Sequence, residues 1–346
     1  MRENILHIDK NSLLKELYNQ NGARESKGLL KVKTALEWFE ISKNSPIPQM
    51  LFGEFWFEGE LCILFADTNL GKSILAVQIG DSISKGKEIK GLKLEANAQI
   101  VLYLDFEMAT KQFELRYSIK SESDKTCKNH YNFDDNFKRI ELNPDAEIPT
   151  NISFEDFLNK SIEQCIVETG ARIVIIDNIT YLRTENEKAK DALPLMKELK
   201  ALKSKYNLSI LALAHTPKRD LTKPITRNDL QGSKMLINFV DSCFAIGESH
   251  TDKHLRYLKQ IKARNTEIIY DTEHVLNCQI QKPDNFIEFE FSGIGNERMH
   301  LKQYSEKDRQ DLIAKAKELS SNGYSQREIA KELSISVGSV NNYLKK

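Results

Sequence analysis

The sequence predicts an α/β protein with a mostly parallel sheet flanked by helices, followed by a small all-α unit. Short β-branched apolar runs alternate with longer helical patterns, which is typical of βαβ units. The segment 191–205 separates the last two runs, and its near-helical apolar spacing suits a crossover helix over one face of the sheet. From residue 305 onward the pattern is purely helical. The four runs are 61–65, 99–105, 172–177 and 208–214.

The segments on either side of these runs set the predicted domain boundaries. Helical patterns around 13–17 and 35–41 end before Pro46, which predicts an N-terminal helical arm over residues 1–45. The core domain is expected over 46–298, with the polar stretch 118–135 as an exposed loop. Three later runs have little helical sequence between them and predict antiparallel strands that extend the sheet, at 241–246, 255–262 and 286–291.

The last predicted domain, 304–346, has clear helix-end signals. Gly323 is placed to end its first helix, and Ser325 with Glu328 forms a capping box for the second. The segment 337–345 supplies a third short helix. These signals predict a small helical unit that is separate from the sheet.

The composition excludes several classes of protein. The 346 residues are 40% hydrophobic and 29% charged, which is ordinary for a globular protein. The 50 Lys and Arg residues balance 50 Asp and Glu, so a nucleic-acid partner must be recognised by a local patch. The five cysteines never form a CxxC pair, and we expect free, mostly buried thiols. No apolar run approaches the roughly 18 residues of a membrane span, and the first ten residues lack a signal-peptide pattern, so we expect a cytoplasmic protein without a membrane partner.

A phosphate-binding loop is predicted directly after the first strand. Residues 66–73 read ADTNLGKS and lead into a helix, a context in which backbone N–H groups and the helix dipole bind phosphate oxygens. Lys72 is expected to contact the β- and γ-phosphates, and Ser73 is expected to bind Mg²⁺. Ala66 stands where the GxxxxGK[ST] pattern has its first glycine, so the loop entry must adopt a conformation that tolerates a Cβ atom. The expected nucleotide-binding residues are Ala66, Asp67, Thr68, Asn69, Leu70, Gly71, Lys72, Ser73 and Ile74.

Carboxylates at two other strand ends complete a predicted hydrolytic site. Asp177 ends a hydrophobic strand and is expected to hold Mg²⁺ together with Ser73. Glu107 follows another strand, where it could accept a proton from the attacking water or orient that water. Asp105 has the same side-chain parity and is the competing candidate, and a solvated acid at a strand end is the alternative to both.

One histidine and two late cations are further candidates. His215 follows the run 208–214, where it could hydrogen-bond a γ-phosphate, although a lone histidine is more often structural. Lys262 and Arg264 are either a solvated face or side chains that reach a neighbouring subunit's nucleotide, where an arginine stabilises transition-state charge.

In this order, the motifs GKS, YLDFEM, IVIIDN, LALAHT and KARN resemble the RecA-like ATPase superfamily over about residues 46–295. The sequence is most similar to the branch of plasmid RepA and DnaB-type hexameric helicases, in particular the RepA-like AAA ATPases of plasmids and mobile elements. The resemblance implies a RecA-like P-loop NTPase core, ATP and Mg²⁺ as cofactors, DNA as a partner, and a homo-oligomer in the form of a ring.

The same resemblance implies a role for each motif residue. Glu107 corresponds to the catalytic glutamate, Asp177 to the Walker B acid and His215 to the γ-phosphate sensor. Lys262 and Arg264 correspond to the pair that acts in trans, and Lys72 to the catalytic lysine of the loop.

The C-terminal unit resembles a helix-turn-helix of the resolvase or sigma-region-four kind. Its helices would be 325–333 and 337–345, with a small core of Ile329, Ala330, Leu333, Val340 and Leu344. Its eight cations exceed its six carboxylates by only two, which is a weak electrostatic signal for DNA, and a protein-interaction module is the alternative. The residues expected to reach phosphates or base edges are Ser336, Ser339, Asn341, Asn342 and Lys345.

Two functional hypotheses follow. In the first, the protein is an ATP-hydrolysing ring that acts on DNA in plasmid or mobile-element replication or its regulation, as a helicase-like motor. In the second, it is a DNA-binding regulator that uses nucleotide as an assembly switch with little turnover. A motor needs Glu107 and Arg264 for DNA-stimulated hydrolysis, whereas a switch needs mainly Lys72 and Ser73 for binding. A metabolic P-loop kinase is disfavoured because no small acceptor pocket is evident.

Overall fold

A computed structural model describes residues 30–121, 126–182, 192–217, 219–230, 233–303, 306–333, 335 and 337–345. The chain divides between Ile47 and Pro48 into two compact units, close to the boundary predicted after residue 45. In the first unit, helix α1 (Ala35–Ser42) begins with a capping box between Thr34 and Glu37, and none of its residues is buried. The helical pattern predicted around 13–17 lies outside the described residues.

The second unit contains the sheet. Its helices are α2 (Lys72–Lys85), α3 (Thr110–Arg116), α4 (Phe154–Thr169), α5 (Ala192–Tyr206), α6 (Ser233–Phe239), α7 (Glu306–Ser321), α8 (Gln326–Glu332) and α9 (Val337–Leu344). Its strands are β1 (Met50–Phe52), β2 (Trp56–Phe57), β3 (Leu61–Ala66), β4 (Val101–Asp105), β5 (Ile119–Lys120), β6 (Cys127–Lys128), β7 (Phe137–Ile140), β8 (Ile173–Asp177), β9 (Ser209–His215), β10 (Ser242–Glu248), β11 (Leu255–Lys262), β12 (Val275–Gln281) and β13 (Glu288–Gly295).

In the described part of the chain, nine strands form one sheet in the order β13-β12-β11-β10-β3-β9-β8-β4-β7. The strands from β10 to β7 in that order are parallel, and β11, β12 and β13 pair antiparallel. The predicted α/β class with a mostly parallel sheet is therefore confirmed. The antiparallel extension is confirmed for the runs 255–262 and 286–291, which correspond to β11 and β13, whereas the run 241–246 corresponds to β10, which is parallel to β3, and β12 was not predicted. Because β3, β9, β8 and β4 are neighbours, their carboxyl ends meet at one edge.

Each face of the sheet is covered by its own apolar cluster. One cluster packs α2 against alternate residues of the central strands, such as Leu64, Tyr103 and Ile175. The other packs α4 and α5 against the opposite face, through residues such as Ile63 and Leu104. Burial on both faces explains why these strands are continuous apolar runs rather than alternating ones.

The segment 118–135, predicted as an exposed loop, is exposed at more than half of its described positions, but it is not loop throughout. Ser118 is buried, and short strands β5 and β6 pair with each other. Tyr131 and Phe133 pack against the core, and the rings of Phe133 and Phe137 stack 5.1 Å apart. Aromatic residues inside a polar stretch therefore anchor this segment to the edge strand β7.

The C-terminal helices match their predicted bounds closely. Gly323 has a φ of 85°, and Ser325 caps α8 in a capping box with Glu328. Ile329, Ala330 and Val340 are buried as predicted, with Leu333 and Leu344 packed beside them. Ala316 and Ile335 belong to the same core and were not predicted.

None of the helices in the described part of the chain has the length and apolarity that crossing a membrane requires. All five cysteines are free thiols, and Cys62, Cys243 and Cys278 are buried.

Candidate nucleotide site

The predicted phosphate-binding loop connects β3 to α2 at the carboxyl edge of the sheet. Gly71 precedes the helix with a φ of 97°, and the first helical hydrogen bond runs from Leu75 N to Gly71 O over 3.0 Å. The amide groups that begin α2 therefore have no intrahelical acceptor and are available to an anion. A Cβ atom on Gly71 would lie 2.6 Å from Ile280 Cδ1, so both backbone and packing require glycine there.

Ala66 is compatible with this loop. It is the last residue of β3, where it pairs with His215 on one side and Ile246 on the other. Within the loop, positive φ angles occur at Asn69 (64°) and Gly71, not at Ala66. The conformation predicted to tolerate a Cβ atom is thus ordinary strand geometry.

A contact chain links the loop lysine to the acid after β4. Lys72 Nζ donates to Ala66 O (3.1 Å) and Asp67 O (3.2 Å) and lies 3.3 Å from His215 Nδ1. His215 Nε2 lies 3.4 Å from Glu107 Oε1, and a hydrogen bond with His215 is the main cause that lowers the pKa of Glu107. Lys72 and Glu107 therefore approach opposite nitrogens of the His215 ring, which links the loop lysine to the acid.

Asn178 completes this chain. Its Nδ2 donates to Glu107 Oε1 and lies 3.0 Å from His215 Nε2. Its Oδ1 accepts from the backbone N of Thr180 over 2.7 Å, which fixes the orientation of the amide. The sequence analysis missed Asn178, because an asparagine after a strand has no distinctive spacing.

The expected Mg²⁺ ligands lie together. The Asp177 carboxylate is buried and accepts hydrogen bonds from Ser73 and, over 2.7 Å, from the Tyr103 hydroxyl. Burial is the largest cause that raises the pKa of Asp177 to about 6. A buried carboxylate beside a hydroxyl at a phosphate-binding loop fits Mg²⁺ chemistry. The described residues contain no cluster of three His, Cys, Asp or Glu side chains for a metal, so phosphate oxygens and water would complete the coordination.

Asp105 occupies a different environment from Glu107. Its carboxylate accepts from Arg139 Nε (2.8 Å) and from the backbone N of Met108 (2.9 Å). Asp105 is buried, whereas the Glu107 side chain is 44% exposed. These contacts favour Glu107 over Asp105 as the acid that faces a water molecule.

The loop that follows His215 is fastened by a buried ion pair. Lys259 Nζ and Glu297 Oε2 are 2.5 Å apart, and both side chains are almost completely buried. Glu297 accepts from Ile225 N (2.6 Å) and Lys259 donates to Ile225 O (2.8 Å), so both backbone groups of Ile225 are satisfied.

Lys262 and Arg264 lie at the amino edge of the sheet, where the parallel strands begin, opposite the carboxyl edge that holds the phosphate-binding loop. Lys262 pairs with Cys243 near the start of β10, and its Nζ donates to Ile237 O and Val240 O over 2.7 Å each. Arg264 Nη1 donates to Asp241 Oδ1 over 3.0 Å. The length of β3, about 17 Å, separates this edge from the phosphate-binding loop of the same chain.

The residues expected to contact DNA are partly described. Asn342 is exposed on α9 and Lys345 is exposed directly after it, whereas Ser339 and Asn341 are half-buried. Ser336 lies outside the described residues. The DNA-binding role of this set remains a prediction.

The chain resembles known proteins in both sequence and fold. A family model described as AAA domain matches residues 29–220. Among solved structures, the chain is similar to a KaiC-like protein from the hyperthermophilic archaeon Pyrococcus horikoshii OT3, with 12% identity and a TM-score of 0.44 over 68% of this chain and 91% of that chain. No curated protein matches the sequence.

Proposed function

Since this chain belongs to the AAA domain family, whose model covers more than half of it, we propose that it binds and hydrolyses ATP at the carboxyl edge of its sheet. The observation that carries the proposal is the contact chain from Lys72 through His215 to Glu107, beside the Ser73 and Asp177 pair. These five side chains lie in or after four neighbouring strands, β3, β9, β8 and β4, with Lys72 and Ser73 at the start of the helix that follows β3.

Each residue has a step in the proposed hydrolysis. The Lys72 ammonium group donates to oxygens of the β- and γ-phosphates in place of the carbonyls of Ala66 and Asp67. Ser73 and Asp177 hold Mg²⁺. Glu107 orients the attacking water and accepts its proton as the bond to the γ-phosphorus forms and ADP leaves. Asn178 keeps the Glu107 carboxylate in place, and His215 is in a position to sense the γ-phosphate between Lys72 and Glu107.

The finer proposal concerns DNA and assembly. We infer that the protein acts on DNA as a homo-oligomer, in ring form, in plasmid or mobile-element replication or its regulation. Two observations support it: Arg264 lies too far from its own loop to reach the nucleotide there, and α8 and α9 have the bounds of a helix-turn-helix. A ring would bring Arg264 of one copy to the nucleotide of the next.

The test is steady-state ATP hydrolysis with and without single- and double-stranded DNA. Lys72→Ala and Glu107→Gln are the informative variants, because the first removes phosphate binding and the second keeps binding while removing the base. Lys90→Ala and Glu147→Gln are matched controls, since both residues are exposed and distant in sequence from the site motifs. We expect a loss of about 10²-fold or more in the first pair and none in the second.

The outcomes separate the two functional classes. DNA-stimulated turnover that disappears in both site variants supports a motor. Tight ATP binding with negligible turnover, unchanged by DNA, would contradict hydrolysis and leave the alternative of a nucleotide-gated DNA-binding regulator.

A further inference from the structure

Arg139 lies on the edge strand β7, beside the strand that leads to Glu107. It pairs in register with Tyr103 of β4, and its side chain is only 14% exposed. An arginine is seldom buried to this extent unless acceptors satisfy its guanidinium group, so its partners indicate what it holds in place.

The Arg139 guanidinium group bridges the two ends of the segment 105–108, which carries Glu107. Its Nε donates to Asp105 Oδ2 over 2.8 Å, and its Nη2 donates to Met108 O over 2.7 Å. The Asp105 carboxylate also accepts from the backbone N atoms of Glu107 (3.3 Å) and Met108 (2.9 Å). One largely buried ion pair therefore fixes the backbone on both sides of the Glu107 side chain.

The same arginine ties the start of helix α3 to strand β7. Arg139 Nη1 donates to Glu141 Oε1, and that oxygen also accepts from Oγ1 of Thr110, the first residue of α3, over 2.8 Å. The Arg139 Cζ atom lies 4.7 Å from the centroid of the Phe113 ring, which is a cation–π contact. The segment that carries Glu107 and the helix after it are thus held by one side chain.

The position of the Glu107 carboxylate depends on this backbone. The side chain is 44% exposed, and its contacts with Asn178 and His215 orient the carboxylate from other strands. Those contacts are kept only while the backbone that bears Glu107 stays in place. A residue that orients water must lie within hydrogen-bond reach of it, and a displacement of about 1 Å can lower a rate about 10²-fold.

We propose that Arg139 is a positioning residue for ATP hydrolysis, which holds the segment 105–108 so that the Glu107 carboxylate faces the attacking water. The inference rests on the proposed function and adds to the site a residue that lies outside its sequence motifs. Arg139 acts through Asp105 and Met108. Its effect depends on the planar fork of the guanidinium group, because a lysine carries the same charge but does not bridge two acceptors in that geometry.

The experiment compares Arg139→Gln and Arg139→Lys with Lys138→Gln, which removes an exposed cation from the same strand. Steady-state ATP hydrolysis gives kcat and KM separately, and thermal unfolding checks that each variant is folded. We expect kcat to fall at least about tenfold in both Arg139 variants while KM stays within about twofold of the wild type. Both constants should be unchanged in Lys138→Gln.

Amide hydrogen exchange measures the backbone directly and does not depend on turnover. We expect the peptide 105–110 to exchange at least about tenfold faster in Arg139→Gln than in the wild type, and at an unchanged rate in Lys138→Gln. Combination of Arg139→Gln with Asp105→Ala should lower kcat by much less than the product of the two separate factors, because both changes break the same ion pair.

The outcomes separate this proposal from the proposed function. Wild-type kcat in Arg139→Lys, or an unchanged exchange rate of the peptide in Arg139→Gln, would overturn the positioning role and leave hydrolysis at Glu107 intact. A wild type that does not hydrolyse ATP would overturn the proposed function and, with it, the catalytic consequence of Arg139. Faster exchange in Arg139→Gln would then still support the hold of Arg139 on the segment 105–108.

Discussion

Replacement of Asp177 by asparagine should stabilise the protein while it disables the site. The Asp177 carboxylate is buried, and its pKa is raised to about 6 from the usual 3.8 of an aspartate, mainly by burial. A raised carboxyl pKa means that the folded protein holds this proton more tightly than the unfolded chain does. The stability contribution is therefore greatest below about pH 4 and is lost as the pH rises through 6.

The size of the effect follows from the shift in pKa. A shift of about two units corresponds to about 3 kcal/mol of lost stability at neutral pH. Asparagine carries no charge, but its single carbonyl oxygen replaces two oxygens that accept from Ser73 and Tyr103. We therefore expect Asp177→Asn to raise the free energy of unfolding by about 1–3 kcal/mol at pH 7.5 and by less than about 1 kcal/mol at pH 4.5.

Urea unfolding at a series of pH values, in EDTA and without nucleotide, measures this difference. Asp145→Asn is the control, because it makes the same change at an exposed position. Addition of Mg²⁺ and an ATP analogue should then stabilise the wild type more than Asp177→Asn. The reasoning fails if the variant is less stable than the wild type at pH 7.5, or if the difference between them does not change with pH.

Three further predictions concern the loop, the buried ion pair and assembly. Gly71→Ala should abolish nucleotide binding, measured by fluorescence titration with a labelled ATP analogue, because the left-handed backbone and the neighbouring side chains exclude a Cβ atom; normal affinity would contradict this. Glu297→Gln should lower the free energy of unfolding in urea by about 3–5 kcal/mol, because it leaves Lys259 buried without its counter-charge. A second change, Lys259→Met, should recover part of this loss. A mixture of equal amounts of the Lys72→Ala and Arg264→Ala proteins should recover about a quarter of wild-type ATP hydrolysis. The reason is that a site made of two copies contains both intact residues in one of four random pairings. Activity that stays at the level of the separate variants would argue against action in trans.

The carboxyl-edge residues could be predicted because their position follows from the sheet. Glu107, Asp177 and His215 each follow a recognisable apolar run, and parallel neighbouring strands bring such residues to one edge. Asn178 also follows such a run, but its role could not be predicted, since it depends on contact with a carboxylate 71 positions away in the chain.

Other parts of the fold depend on packing that no local pattern records. Strand β7 reads only FKRI, and its place as the edge strand depends on the packing of Phe137 against α2. A Cβ atom on Gly80 would lie 2.6 Å from Cε2 of Phe137, so the ring packs closely against the helix backbone there. The contact between Arg264 and Asp241 likewise needs the antiparallel pairing of β10 and β11, which fixes both residues at the amino edge.

Ala66 affects the unfolded chain as well as the folded loop. An unfolded glycine samples both halves of the backbone conformational map, whereas alanine is confined mainly to one half. Because Ala66 lies in β3 without a positive φ, it folds with a smaller loss of conformational entropy than a glycine there, a difference of about 0.4–1 kcal/mol. The entry to the phosphate-binding loop is thus restricted before folding begins, and the freedom of glycine is retained at Gly71, where the helix starts.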